Sequence, residues 1–394
     1  MLLSHCLALL LAGALAPAPA GRPQAPAANA TPLTAQQLRT SIAKLGAFDD
    51  RERTDAARAV RRAPAAQAVP ALMAAAEEHP DGYVRFRALV ILSGFHDPRA
   101  RDVMVHALDD PNDRLRTVAY TYFEHNPDPA MVPRLLKALD KEEGEFVRPA
   151  LTRTLAAYAA DPRVRDVMPA LVMSGQDLFR SAVIEAVGDY RVTSAFDALR
   201  RVATLDGPLQ EDAVLALGKL GDKRALAVLE PLQQSAPRER QPAIAAAICL
   251  LGVNCESHQG FLVETLTFAV QHPGFQDLLR AATRGLAALA VAGHQDAAVA
   301  LIDAGVPARD PARSPIALAF GTVALRNTPL ALKLLESRAD RHDAALLLRD
   351  AFDMLEEDYE EERFYAAVRR AYWASAPGSL QRRVTDALIQ VLEF

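Results

Sequence analysis

The chain has 394 residues, with 44 Lys or Arg against 49 Asp or Glu, a net charge of −5, 51% apolar residues and only 6% aromatics. The acidic balance argues against a nucleic-acid binder, which carries a basic footprint, and after the N-terminal segment no apolar stretch has the length of a membrane span. Apolar content carried by Ala and Leu suits helices packed closely into one elongated domain.

Residues 1–20 contain a hydrophobic run from Leu7 to Ala16 followed by Ala18-Pro19-Ala20. This pattern reads as a secretory signal peptide cleaved between Ala20 and Gly21, although the MLLSH start lacks the usual Lys or Arg. Ala28-Asn29-Ala30 offers a second cleavage pattern. The expected destination is periplasmic or secreted. A cytoplasmic adaptor is the alternative if the segment is not a signal. Residues 21–33, rich in Pro and Ala, form a linker.

A first, less regular helical pair is expected from Thr34 to Glu78, with Leu38, Ile42 and Leu45 on one face. From Asp81 to about Ala236 one pattern then recurs five times at a spacing of about 30 residues, the signature of a solenoid. The recurring phrases are DGYVRFRALVIL, DRLRTVAYTYF, EFVRPALTRTL, DLFRSAVIEAV and PLQEDAVLALGKLG. Each is followed by a turn such as Asp97-Pro98-Arg99, Asp128-Pro129-Ala130 or Asp161-Pro162-Arg163. Asp before Pro suits a helix start, and apolar residues then follow at three- and four-residue steps. Each unit is thus a helical hairpin that cannot bury its apolar face alone, so neighbours must stack.

These units resemble HEAT repeats and the related short HEAT-like repeats. The apolar-Arg pairs Val84-Arg85, Leu115-Arg116, Val147-Arg148 and Phe179-Arg180 carry the likeness. So do the Gly218 to Asp222 helix end and the first-helix prolines Pro70, Pro133, Pro169 and Pro231. The resemblance implies an all-α, right-handed α-solenoid over residues 34–270. It also implies that Asp81 with Arg85, Asp113 with Arg116, Glu145 with Arg148 and Asp177 with Arg180 form a structural acid-to-Arg ladder. An anion-binding strip is the less favoured reading of the same residues. Second helices of such hairpins line the concave face, and positions two and five after each Arg should point outward. Arg87, Val90, Thr121, Arg153, Glu185 and Asp212 are therefore the candidate partner-binding residues.

Cys249 and Cys255 are the two cysteines beyond the signal segment, and an isolated pair in an exported chain can bridge. Free thiols, or a metal site using His258, are the alternatives. No convincing set of further ligands is visible. Residues 271–343 change character: Gly293-His294, Ala304-Gly305 and LLESRAD resemble two worn ankyrin repeats, with a short hairpin tolerated near Val306 to Arg313. Residues 344–394 read as a helical cap. There the acidic run Glu356 to Glu362 is expected as a solvated helix end, and Trp373 as a packing residue.

No His-Glu-x-x-His, Gly-x-Ser-x-Gly or phosphate-cradling loop occurs. The expectation is a non-enzymatic, monomeric scaffold without cofactor, metal or nucleic acid, binding another protein or peptide segment through its concave face. The alternative is a lyase-like enzyme or enzyme-associated protein, since some short HEAT-like repeat proteins resemble bilin lyases.

Overall fold

The computed structural model describes residues 33–394, so the signal segment with Ala20 and Gly21 lies outside the described residues. The chain opens with α1 (Ala35–Ala43) and α2 (Asp50–Arg62), then α3 (Ala65–Glu78) and α4 (Gly82–Ser93). The regular hairpins follow: α5 (Ala100–Ala107) with α6 (Asp113–His125), α7 (Val132–Leu139) with α8 (Arg148–Ala157), and α9 (Pro162–Met173) with α10 (Asp177–Asp189). Next come α11 (Phe196–Ala203) with α12 (Gln210–Leu220), α13 (Leu226–Ser235) with α14 (Gln241–Leu250), and α15 (Cys255–Gln271) with α16 (Gln276–Val291). The chain ends in α17 (Gln295–Gly305), α18 (Arg313–Arg326), α19 (Thr328–Glu336), α20 (Arg341–Leu355), α21 (Asp358–Ala374) and α22 (Leu380–Leu392). No strand occurs among the described residues. The connection after Val306 is a turn with a cis Asp310-Pro311 bond rather than a hairpin, and the ankyrin-like detail is not seen.

The even-numbered helices from α4 to α22 stack one on the next, while the odd-numbered helices from α3 to α19 pack outside them. Small residues set the closeness of this inner layer. A Cβ on Gly188 would lie 2.9 Å from the Cα of Ala216, and one on Gly218 only 2.5 Å from the Cα of Ala247. The turns are fixed by short side-chain caps. The carboxylates of Asp97, Asp128, Asp161 and Asp222 each accept from the amide two residues on. Asn112, rather than Asp113, caps α6.

The acid-to-Arg ladder is realised only in part. Arg116 meets Asp113 and Arg180 meets Asp177, at 2.5 and 3.3 Å. Arg85 instead pairs with Asp110 of the next hairpin turn, because Asp81 is spent capping α4 through the amides of Tyr83 and Val84. Arg148 turns away from Glu145 and lies over the ring of Phe179, 4.6 Å from its centroid.

The last hairpin departs from the repeat pattern. Helix α22 continues the inner stack, but α21 packs against α4, α6 and α18 as well as α22. The C-terminal part therefore folds back onto the N-terminal repeats and closes the solenoid on itself.

Candidate functional site

The inner face is where the sequence placed a partner, and α21 covers part of it. From α21, Asp358 pairs with Arg87 of α4. Glu360 accepts from His125 of α6 at 2.6 Å and forms an ion pair with Arg326 of α18 at 2.9 Å. Glu362 accepts from Arg61 of α2 at 2.7 Å and from Arg369 at 3.2 Å. Gly94, at the end of α4, leaves the space that the Glu362 side chain fills. The aromatic face follows the acids. His125 stacks on Tyr359, and Arg61 lies 5.2 Å from the ring centroid of Tyr365, which itself stacks on Phe394.

The acidic run is thus no solvated helix end: Glu360 is 4% exposed and Glu362 is fully buried. The physical reason is compensation, since a buried carboxylate is tolerated when guanidinium groups meet it. Burial alone would raise the Glu360 carboxyl. The hydrogen bond from His125 and the charges of Arg326 and Arg363 outweigh it and hold the group well below the usual carboxylate range. Its half-buried neighbour Glu361 lacks such partners, and burial with the nearby Asp358 charge pushes it up to about 7. His96 is pushed down to about 4 by burial, with Arg370 and Arg369 adding to the effect.

Beyond α21 the charges continue along the inner layer. Arg153 of α8 bridges Glu124 and Asp189, both at 2.9 Å, and Lys219 of α12 reaches Asp189 at 2.7 Å. The Tyr190 hydroxyl donates to Glu124 at 2.5 Å. Asp212 pairs with Arg284 of α16 and accepts from the Ser181 hydroxyl at 2.6 Å. Glu124, His125 and Glu360 converge closely enough to offer ligands to one ion. Arg153, Arg326 and Arg363 already neutralise those carboxylates.

The six candidate residues fare differently from the expectation of an open strip. Val90 is 0% exposed, because α4 is apolar nearly all round and enclosed by its neighbours. Arg87, Arg153 and Asp212 do face other inner helices, but as members of ion pairs within the chain. Thr121 is half-buried and its hydroxyl donates to the Thr117 carbonyl. Glu185 alone is exposed. Sequence reasoning missed Arg61, Glu124, His125, Arg326 and Glu360. A usable signal was the unusual run of acids beside aromatic residues facing a chain rich in arginine.

Between α14 and α15, Cys249 and Cys255 lie with Cα atoms 4.1 Å apart and their sulfurs at bonding distance. His258 is not drawn to them; His294 is. Trp373 is 40% exposed, edge-on to Tyr372, with Arg382 over both rings.

Stacked helical hairpins with capped turns and an inner layer of second helices define an α-solenoid. The family model for HEAT repeats matches residues 39–124, and that for the PBS lyase HEAT-like repeat matches residues 209–235. The chain carries HEAT-like repeats in those two stretches. No curated protein matches it by sequence. Among solved structures it is similar to YibA of Escherichia coli, at 17% identity and a TM-score of 0.41, covering 56% of this chain and 82% of that one. The complex of CpcE and CpcF of phycocyanin lyase from Nostoc sp. PCC7120 matches at 22% identity and a TM-score of 0.27, covering 86% and 100%. Kap95p, from a complex with RanGDP, matches at 13% identity and a TM-score of 0.37, covering 90% and 54%.

Proposed function

We propose that this protein is an exported, non-enzymatic scaffold whose inner face holds an acidic helical segment of a partner protein, with α21 as the resident occupant. The observation that supports this reading is the burial of Glu360 and Glu362 against residues of α2, α6 and α18. The inner face supplies guanidinium groups at fixed positions, and charge complementarity of that kind sets partner choice and register. A partner helix with acids followed by aromatics would make the same contacts and displace α21. The partner enters only as far as its affinity exceeds that of the resident helix, so access is gated.

The reading is tested with a labelled peptide of residues 357–376 and the full chain. Wild type, with its own helix in place, should bind the peptide weakly. The D358N/E360Q/E362Q chain, checked by circular dichroism, should bind it at least about tenfold more tightly, and adding R87E should reverse that gain. Equal weak binding by all three would end the proposal. Export is tested separately by N-terminal sequencing of the native protein. A new terminus at Gly21 is expected, and an intact Met1 in a cytoplasmic fraction would remove that part of the reading.

A further inference from the structure

Three helix ends meet at Cys249, Cys255 and His294. Cys249 lies in the last turn of α14 and is 2% exposed; Cys255 is the first residue of α15; His294 directly precedes α17. The Nδ1 atom of His294 stands 3.8 Å from the sulfur of Cys255, and the three donor atoms all lie within 4.8 Å of one another. Helix stacking brings His294 to the pair from 39 residues further along the chain.

We propose that Cys249, Cys255 and His294 form a zinc site that opens when the Cys249–Cys255 bond is reduced. Two thiolates and one imidazole are a donor set zinc favours. With zinc–sulfur and zinc–nitrogen distances of about 2.3 and about 2.0–2.1 Å, tetrahedral to trigonal angles put sulfur and nitrogen about 3.5–3.8 Å apart. Cys255 and His294 already have that separation. The two sulfurs would need about 3.8 Å, so a disulfide and a zinc ion exclude each other. Cys255 and His294 are half-buried at the surface, which leaves the fourth position to water. A dithiol reductant opens the bond, becoming a disulfide itself as the two protein thiols form. Zinc then displaces one proton from each thiol and ties α14, α15 and the start of α17 together.

The full chain, reduced and freed of reductant under anaerobic conditions, is titrated with Co2+ and then Zn2+. One equivalent of Co2+ should give a thiolate-to-cobalt charge-transfer band that Zn2+ removes, and the oxidised chain should give none. Cys249→Ser and Cys255→Ser should each lose the normal band. His294→Asn, which keeps a residue suited to start α17, should alter the d–d absorption and weaken Zn2+ at least about tenfold. His258→Ala should behave as wild type. Absence of the band in the reduced chain, its presence in the oxidised chain, or an unchanged spectrum and affinity in His294→Asn would overturn the proposal. So would loss of binding in His258→Ala.

Discussion

Arg61 and Glu362 are 301 residues apart in the chain, yet the Nε of one donates to the carboxylate of the other across 2.7 Å. Arg61 has 6% of its side chain exposed and Glu362 none. Removing one member of such a pair strands the other charge. Glu362→Ala is expected to lower unfolding free energy by about 3–5 kcal/mol, and Arg61→Met/Glu362→Met/Arg369→Met, which removes both guanidinium partners along with the carboxylate, to recover most of that loss. Urea unfolding of the two variants beside wild type checks this. A Glu362→Ala loss below about 1 kcal/mol would mean that solvent screens the pair.

The inner layer should not tolerate growth at its closest approach. The Cβ added by Gly218→Ala meets the backbone of Ala247, which has no flexible end to give way. A loss of about 1–3 kcal/mol is expected. Gly260→Ala serves as the comparison, since its added Cβ meets nothing within 4 Å. The helical interior favours Ala there, so a gain of about 0.5–1 kcal/mol is expected. Equal effects on thermal unfolding would contradict the stacking argument.

Glu361 gives the stability a particular pH dependence. Its folded pKa, about 7, lies above the ordinary carboxylate value of 4.5, so between the two the folded chain binds more protons than the unfolded one. Its contribution is therefore lost as pH rises through that window. Glu361→Gln should stabilise the protein relative to wild type by about 3 kcal/mol more at pH 8 than at pH 4.5. Denaturant midpoints at the two pH values measure the difference, and an opposite sign would show that Glu361 is ion-paired instead.

Material from an oxidising compartment should carry the Cys249–Cys255 bridge. Unreduced intact mass should be two hydrogens below the reduced value, and reduction should cost about 2 kcal/mol or less because the loop is small. Two alkylatable thiols in freshly isolated protein would contradict this.

The repeat architecture was legible because it is written locally. An apolar-Arg pair opens each second helix and a capped turn ends each unit, so period and helix content follow from neighbouring residues. Closure is not written that way. The partners of Asp358, Glu360 and Glu362 lie 271, 235 and 301 residues away, and no periodicity links them. Viewed alone, the acidic run has every property of a solvated segment. Viewed against Arg61, Arg87, His125 and Arg326, it is an internal counter-charge. Val90 was misplaced for a related reason: counting from Arg85 assumes that one side of α4 faces water, and its neighbours leave no such side. His294 fitted a turn motif well enough that its approach to Cys255 went unseen.

The return of α21 to the first repeats also changes how the molecule carries load. A row of hairpins that touch only their neighbours stretches like a coil spring. With Arg58 held to the Glu393 carbonyl and Arg61 to Glu362, the two ends are clasped and the row becomes a hoop. A pull applied between α2 and α22 reaches these contacts before it reaches the interfaces of the hairpins between them. The clasp must give way first, and only then can the repeats splay in sequence.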